Sequence, residues 1–303
     1  MTTLPLLRSY LYVPAHRARF VEKAFQVGAD AVILDLEDAV PFAEKAAARQ
    51  AAAEAIAARA GQPGPAIFVR INNPVTEWSR ADVRAVVRPG LAALRVPKVE
   101  DAATVRQVAA WIDEDEAAAG MPPGTVAINC SLESAASIFR VYEIATAHPR
   151  VQLLGFGVAD YLVDLGIHPD LDQMDMATVY PRSQIVIACR VAGLRPPVDT
   201  VWPYVDDLAN LERFARQARA LGFMGKAAIH PKQVETINRV FTPSEAEIEY
   251  ARKVIAAVDE AARTGAGAVI LGKDEMVDLA NVKRARDLLA LADRLGASQS
   301  AAG

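Results

Sequence analysis

The sequence predicts a (β/α)8 barrel, the TIM-barrel class of α/β fold, followed by a C-terminal helical extension. Eight short apolar segments alternate with helical patterns, which is the arrangement of a parallel sheet surrounded by helices. Four of the apolar segments end in charged residues, at the edge where barrels of this class carry their active sites. An open doubly wound sheet is the alternative, and the absence of a glycine fingerprint after the first strand counts against it.

The strand candidates are apolar runs bounded by loop residues, a pattern typical of buried parallel strands. The helical segments between them carry apolar residues at helical spacing, and the first two end at Gly28 and Gly61, which are good C-terminal signals. The barrel is therefore expected to span residues 1–240. The strand candidates cover residues 8–14, 31–37, 66–72, 92–99, 126–133, 151–158, 198–202 and 223–230.

Residues 241–303 break this rhythm and are expected to form the C-terminal helical extension. A helical pattern over residues 243–265 leads to GAVILGKDEMVD, where a charged turn is expected, and a second helical pattern covers residues 279–295. We expect this extension to cover the barrel as a lid or to pack on a neighbouring subunit.

Composition and charge argue against several classes of protein. A net charge of −4 and a pI near 5.7 count against nucleic acid as a partner, since that role usually needs a basic face. No run of 18 apolar residues predicts a membrane span, and the N-terminus lacks the basic region of a signal peptide. Cys130 and Cys189 form no metal-type pair, so we expect reduced, buried thiols in a cytoplasmic protein.

Two carboxylates end successive strand candidates. Glu133 follows the fifth strand and Asp160 the sixth, and adjacent parallel strands lie roughly 5 Å apart. The two side chains could therefore share one hard cation, and Mg²⁺ prefers a few carboxylates with water and substrate oxygens. The alternative is that each carboxylate caps the helix that follows it.

A cluster of charges surrounds the second and third strands. Arg70 ends the third strand, where its guanidinium could hold a carboxylate or a developing oxyanion, or pair with acidic residues of strand two. Those residues are Asp35, Glu37 and Asp38, which would repel one another unless a metal, Arg70 or Lys98 lay close by.

Two further positions are candidates for substrate binding. His230 lies at the end of the eighth strand, although a lone histidine is more often structural. Arg17 belongs to a small basic patch with His16 and Arg19 after the first strand; such a patch suits phosphates, and a solvated surface is the alternative.

The motifs VPAHRARFVEKAFQVGADAVILDLEDAV, VRINNP, CSLESAASI, GFGVADYLVDLG, GFMGKAAIHPKQV and EMVDLANVKRA occur in that order. Together they resemble the citrate lyase β-subunit-like family of the HpcH/HpaI aldolase superfamily over nearly the whole chain. The resemblance implies a TIM barrel, usually trimeric, with an extension that packs on a neighbouring copy. It also implies Mg²⁺-dependent (or Mn²⁺-dependent) cleavage or formation of a carbon–carbon bond in a β-hydroxyacyl thioester.

The resemblance also implies roles for individual residues. Glu133 and Asp160 match metal ligands, Arg70 the arginine that contacts the oxo acid, and Glu37 with Asp38 an acidic pair near the metal's waters. Asp278, within EMVD, matches an acid/base that enters the site of the neighbouring subunit. Ala15 and His16 stand where the family usually has glycine and an acidic or amide residue, and Ala280 stands where proline is common.

The reaction implied is cleavage of malyl-, citramalyl- or a related coenzyme A (CoA) thioester to an acyl-CoA and a 2-oxo acid, by a homotrimer or higher homo-oligomer. Three alternatives stay open. The chain could be a citrate lyase β subunit acting on an acyl-carrier-protein thioester, a non-catalytic regulatory protein on the same fold, or an enzyme that also hydrolyses the thioester.

Overall fold

Eight parallel strands close into a barrel in this computed structural model, which describes residues 4–168, 174–263, 268–272 and 274–302. Each strand pairs with the next along the chain, and the eighth pairs with the first, so the predicted (β/α)8 barrel is confirmed. The strands are β1 Ser9–Pro14, β2 Ala31–Asp35, β3 Ala66–Arg70, β4 Leu91–Val96, β5 Ala127–Leu132, β6 Val151–Phe156, β7 Val198–Asp199 and β8 Gly225–Ala228.

Helices connect the strands and pack outside them. Apolar side chains on one face of each strand meet those of the helices in one large core that includes Val32, Leu34 and Ile56. The helices of the barrel are α1 Ala18–Ala24, α2 Lys45–Arg59, α3 Ser79–Val86, α4 Ala102–Ala118, α5 Ala135–Phe139, α6 Val141–Ala145, α7 Val158–Asp164, α8 Met174–Val191, α9 Leu208–Leu221 and α10 Lys232–Phe241.

The seventh strand is shorter than the sequence predicts. The expected strand covered residues 198–202, whereas β7 holds only two residues. Beyond β7, Trp202 leaves the sheet and stacks on Phe214 of α9 at 4.7 Å between ring centroids. The sheet pairing lost over these residues is thus replaced by aromatic packing, which the apolar run in the sequence does not distinguish from a strand.

The opposite face of each strand fills the barrel interior in layers. Side chains alternate between the two faces of a strand, so every second residue points inward. The lowest inward layer is apolar and includes Tyr10, Ile33, Phe68 and Leu153. The Tyr10 and Phe68 rings meet edge to face, with centroids 5.7 Å apart. This floor closes the lower barrel, and the polar residues therefore gather above it, towards the carboxyl ends of the strands.

In addition to the compact unit Met1–Phe241, the chain forms a second one, Thr242–Gly303. It comprises helix α11 Glu245–Arg263, strands β9 Ala268–Leu271 and β10 Glu275–Asp278, and helix α12 Leu279–Ala302. The two strands form an antiparallel hairpin where the sequence indicated only a charged turn. The β-branched residues of AVIL favour that extended pairing. No helix in the described ranges is both long and apolar enough to cross a membrane.

Candidate active site

One row of the barrel brings four polar residues onto neighbouring strands. Asp35 of β2 is in register with Arg70 of β3, Arg70 with Arg95 of β4, and Arg95 with Asn129 of β5. Because residues in register on adjacent parallel strands point to the same side of the sheet, these side chains meet inside the barrel above its apolar floor. The register, more than the sequence spacing, builds this layer.

Asp35 clamps Arg70. The Arg70 Nε donates to Asp35 Oδ1 at 2.6 Å and Nη2 donates to Oδ2 at 2.7 Å, a bidentate pair in which Asp35 is only 1% exposed. The carboxylate also accepts hydrogen bonds from the backbone N–H groups of Glu37 and Ala39. Pairing of Arg70 with this acidic cluster was one of the alternatives left open from the sequence, but no separate role was predicted for Asp35; its contacts fix the direction of the Arg70 guanidinium.

Glu37 and Asp38 contact the remaining edge of the same guanidinium. Arg70 Nη1 lies 3.1 Å from Glu37 Oε2 and 3.3 Å from Asp38 Oδ2, while Lys98 Nζ lies 3.2 Å from Glu37 Oε1. Lys98 adopts a left-handed backbone conformation, with φ of 51°. The expectation that cations lie close to this acidic cluster therefore agrees with the structure. Burial raises the pKa of Glu37 to about 7, with Arg70 opposing the shift.

Glu133 is a buried carboxylate with an oxygen that lacks a partner. The residue is 5% exposed, and its Oε2 accepts no hydrogen bond from the described part of the protein. Burial raises the pKa of Glu133, and a hydrogen bond from Ser131 and the charge of Arg95 oppose that shift. A buried oxygen without a donor is costly, so this site is suited to a cation.

Neither Glu133 nor Asp160 caps the helix that follows it. Ser134 caps α5 through a capping box with Ser137, and α7 is preceded by Gly157 without a side-chain cap. Asp160 lies in the first turn of α7, beyond the end of β6, and is exposed. Both carboxylates are thus available for another role, and the charge of Asp160 adds a lesser contribution to the rise in the pKa of Glu133 that burial causes.

A cavity of about 250 Å³ joins the predicted metal ligands to Arg70. Its lining contains two guanidinium groups and four carboxylates, so the charged groups around the cavity carry a formal net charge of −2. That net charge and the unpartnered Glu133 oxygen fit a divalent cation. In the described residues no three His, Cys, Asp or Glu side chains form a cluster that could hold a metal ion by itself. The charged lining residues are Asp35, Asp38, Arg70, Arg95, Glu133 and Asp160.

The remaining predicted site residues lie elsewhere. His230 lines a second, more apolar cavity of about 270 Å³ between β1, α1 and β8, which shares Tyr12 and Ile229 with the first. Arg17 is exposed before α1 and lines neither cavity as described. Asp278 belongs to the second unit, where its Oδ1 accepts hydrogen bonds from the backbone N–H groups of Ala280 and Asn281 at the start of α12.

Tyr12 and Arg95 also line the cavity around Glu133 and were not predicted from the sequence. Tyr12 lies under both guanidiniums, with its ring centroid 5.1 Å from Arg70 Cζ and 5.7 Å from Arg95 Cζ. Arg95 is 3% exposed inside the barrel. A signal for Arg95 was present, because a charge in the middle of the apolar run AALRVPKV cannot be placed in a core without a polar partner.

Comparison with known proteins agrees with the fold. Residues 8–231 match the family described as HpcH/HpaI aldolase/citrate lyase. The chain belongs to this family of lyases. The resemblance stated from the motifs is therefore confirmed, and the match spans all eight barrel strands.

Curated relatives match the chain over nearly its whole length. The citrate lyase β subunit of Leuconostoc mesenteroides subsp. cremoris is 36% identical over 288 residues, covering 95% of this chain and 94% of that protein. The (3S)-malyl-CoA thioesterase of Cereibacter sphaeroides is 37% identical over 291 residues, covering 96% of each. Among solved structures, the protein CitE of Mycobacterium tuberculosis in complex with magnesium, acetoacetate and coenzyme A is 30% identical. The structural match covers 95% of this chain and 98% of the CitE chain, with a TM-score of 0.75.

Proposed function

We propose that this protein is a Mg²⁺-dependent carbon–carbon lyase that reversibly cleaves a β-hydroxyacyl-CoA thioester to an acyl-CoA and a 2-oxo acid. The observation that carries the proposal is the convergence of Glu133, Asp160 and Arg70 on one cavity at the carboxyl ends of the strands. Membership of an aldolase and citrate lyase family supports the reaction class. The magnesium, acetoacetate and coenzyme A bound to the relative CitE support the cofactor and the thioester.

Glu133 and Asp160 are the residues that would hold the metal, and Glu37 and Asp38 would act near it, beside Arg70. Bound there, Mg²⁺ would supply Lewis-acid polarisation and a template for the oxygens of the oxo acid. Arg70 binds the oxygen on which negative charge develops, and Asp35 keeps its guanidinium aimed into the cavity. Preorganised donors of this kind need no reorientation during the reaction.

Cleavage breaks the bond between the carbinol carbon and the α-carbon of the thioester. The hydroxyl group loses its proton as the oxo acid forms, and the α-carbon gains a proton to give the acyl-CoA. Asp278 of a neighbouring copy is the proposed proton donor to that carbon, and the base that removes the proton in the reverse direction. In its own chain the carboxylate caps α12, which holds it in one orientation.

The extension from residue 241 onward is proposed to pack on a neighbouring subunit of a homotrimer. Met276 and Leu279, on either side of Asp278, are 68% and 72% exposed in the single chain. Large exposed apolar side chains in one segment are typical of a protein interface. Helix α8 carries a second exposed apolar set: Met176, Val179, Tyr180, Ile187 and Val191.

The thioester arm is proposed to approach the cavity that His230 lines, since its mostly apolar wall opens next to Tyr12. Whether the thioester is carried by coenzyme A or by an acyl-carrier protein has to be assayed, because one curated relative is a citrate lyase β subunit. A second candidate activity is hydrolysis of the thioester, which the match to a (3S)-malyl-CoA thioesterase favours.

The test is a substrate panel of malyl-, methylmalyl-, citramalyl- and hydroxymethylglutaryl-CoA with Mg²⁺. We expect at least one of the first three substrates to give equal amounts of acyl-CoA and 2-oxo acid, resolved by chromatography, and EDTA to abolish the reaction; cleavage of hydroxymethylglutaryl-CoA would give a 3-oxo acid instead. Release of free CoA and of the hydroxy acid with its carbon skeleton intact would instead indicate hydrolysis of the thioester. Turnover that persists at full rate in EDTA would contradict the proposal, and turnover only with an acyl-carrier-protein thioester would assign the chain to the citrate lyase β role.

A further inference from the structure

Arg95 is a buried arginine without an acidic partner. Its Nη1 donates to Asn129 Oδ1 and its Nη2 to Ser131 Oγ, each at 2.8 Å. It forms no ion pair with a carboxylate in the described part of the chain, and its Nε is buried without a hydrogen-bond partner. Burying a charge in this way is expensive, so a function other than stability is expected to keep it there.

Two glycines of the sixth strand region leave room for this arrangement. A Cβ built on Gly155 would lie 2.5 Å from Arg95 Nη1 and 2.8 Å from Nη2. A Cβ built on Gly157 would lie 2.5 Å from Glu133 Cγ. Both positions, two residues apart, face inward. The segment GFG therefore reserves the space that the Arg95 guanidinium and the Glu133 side chain occupy.

Ser131 connects Arg95 to Glu133. Its Oγ accepts the hydrogen bond from Arg95 Nη2, which leaves its single proton for another acceptor, and Ser131 and Glu133 line the same cavity, two residues apart along one inward row. Along this row the Ser131 hydroxyl therefore lies between Asn129, which also binds Arg95, and Glu133, whose Oε2 is left open.

We infer that Arg95 is a positioning residue for the metal site: through Ser131 it fixes the Glu133 carboxylate in the orientation that binds the divalent cation. The inference rests on the proposed function, because it takes Glu133 and Asp160 as the metal ligands. Outer hydrogen-bond partners of metal ligands orient them, and losing one typically costs roughly 10–100-fold in metal affinity.

The shape of the arginine, and not its charge alone, carries this role. A planar guanidinium donates to Asn129 and Ser131 at the same time from two nitrogens. A lysine at this position would keep the positive charge but would present a single nitrogen. Arg95→Lys is therefore expected to recover only part of the affinity that Arg95→Met loses.

The experiment measures binding of Mn²⁺, as a paramagnetic substitute for Mg²⁺, to the full-length protein without substrate by electron paramagnetic resonance. Arg95→Met and Ser131→Ala are each expected to weaken binding roughly 10–100-fold. Gly155→Ala is expected to do the same by displacing the guanidinium, and to add nothing in the Arg95→Met background. Arg182→Met is the matched control, since Arg182 is also buried but pairs with Asp199 and does not line the cavity around Glu133. It should keep wild-type affinity.

Folded Arg95→Met protein that binds Mn²⁺ as tightly as the wild type would overturn the inference, as would complete rescue by lysine. If Arg95→Met does not fold, wild-type affinity in Ser131→Ala overturns it instead. Glu133→Gln distinguishes failure of the proposed metal site from failure of the positioning role of Arg95. If Glu133→Gln also leaves Mn²⁺ affinity unchanged, the metal site itself is wrong; if it abolishes binding while Arg95→Met does not affect it, only the role of Arg95 fails.

Discussion

Replacing Asp35 with asparagine tests how Arg70 is held. The substitution removes a bidentate pair with distances of 2.6 and 2.7 Å and turns an amide N–H2 group towards a guanidinium that needs acceptors. Removing one partner of a buried ion pair costs about 3–5 kcal/mol of stability. Because Glu37 and Asp38 contact the same guanidinium at 3.1 and 3.3 Å, we expect about 3 kcal/mol, the lower end of that range.

The loss of activity should exceed what the loss of stability explains. Without the clamp the guanidinium can turn towards Glu37 and Asp38, and a displacement of about 1 Å at a reacting centre can cost roughly 100-fold in rate. The free energy of unfolding is measured by urea denaturation, and kcat/KM is measured with the best substrate of the panel at a temperature where both proteins are folded. We expect kcat/KM to fall about 100-fold.

Asp30→Asn provides a matched control. Asp30 forms the same kind of pair with Arg8, at 2.7 and 2.8 Å, just before the second strand. This is the amino-terminal face of the barrel, where such contacts serve stability. Asp30→Asn should therefore lose comparable stability and keep kcat/KM. The reasoning is refuted if Asp35→Asn keeps wild-type kcat/KM, or if the two variants lose activity equally.

Two further predictions concern proton binding and subunit cooperation. Because the pKa of Glu37 is raised to about 7 from an ordinary value of 4.5, the folded metal-free protein holds this proton more tightly than the unfolded chain does. Its stabilising contribution is therefore complete below pH 4.5 and is lost as the pH rises to about 7. Urea denaturation in EDTA should show a decline on the order of 1–3 kcal/mol that Glu37→Gln lacks, and an equal decline in both proteins would exclude Glu37 as its source. For Asp278, mixing inactive Asp278→Ala with inactive Arg70→Ala protein and reassembling the oligomer should restore part of the activity. No recovery in verified mixed oligomers would remove the support for a site shared between subunits.

Periodicity and strand-end charges predict much of the fold and some of the site. The apolar runs ending in Arg70 and Glu133 indicate both the barrel and the rim, because buried parallel strands leave a local pattern in the sequence. The roles of Asp35 and Arg95 depend on register between strands, which is a long-range property. Spacing within one strand cannot reveal that Arg95 lies beside Asn129 and next to the gap at Gly155.

The extension shows a second limit. Strands β9 and β10 pair as an antiparallel hairpin, whereas the pattern of the sequence predicted a charged turn in this segment. Asp278 caps a helix in its own chain, and nothing in its local pattern distinguishes it from an ordinary capping residue. Only the family resemblance indicated a further role, and that role stays a prediction until it is tested across subunits.

In the proposed mechanism, Glu133 binds the metal on which carbon–carbon cleavage depends. The most direct measurement compares wild-type and Glu133→Gln protein for Mg²⁺-dependent release of 2-oxo acid from the best CoA thioester, with folding verified by circular dichroism. Glutamine fills the same space beside Gly157 but lacks the negative charge, so we predict a loss greater than the roughly 10–100-fold that an outer partner costs. Turnover near the wild-type level, with an unchanged Mg²⁺ requirement, would contradict the account.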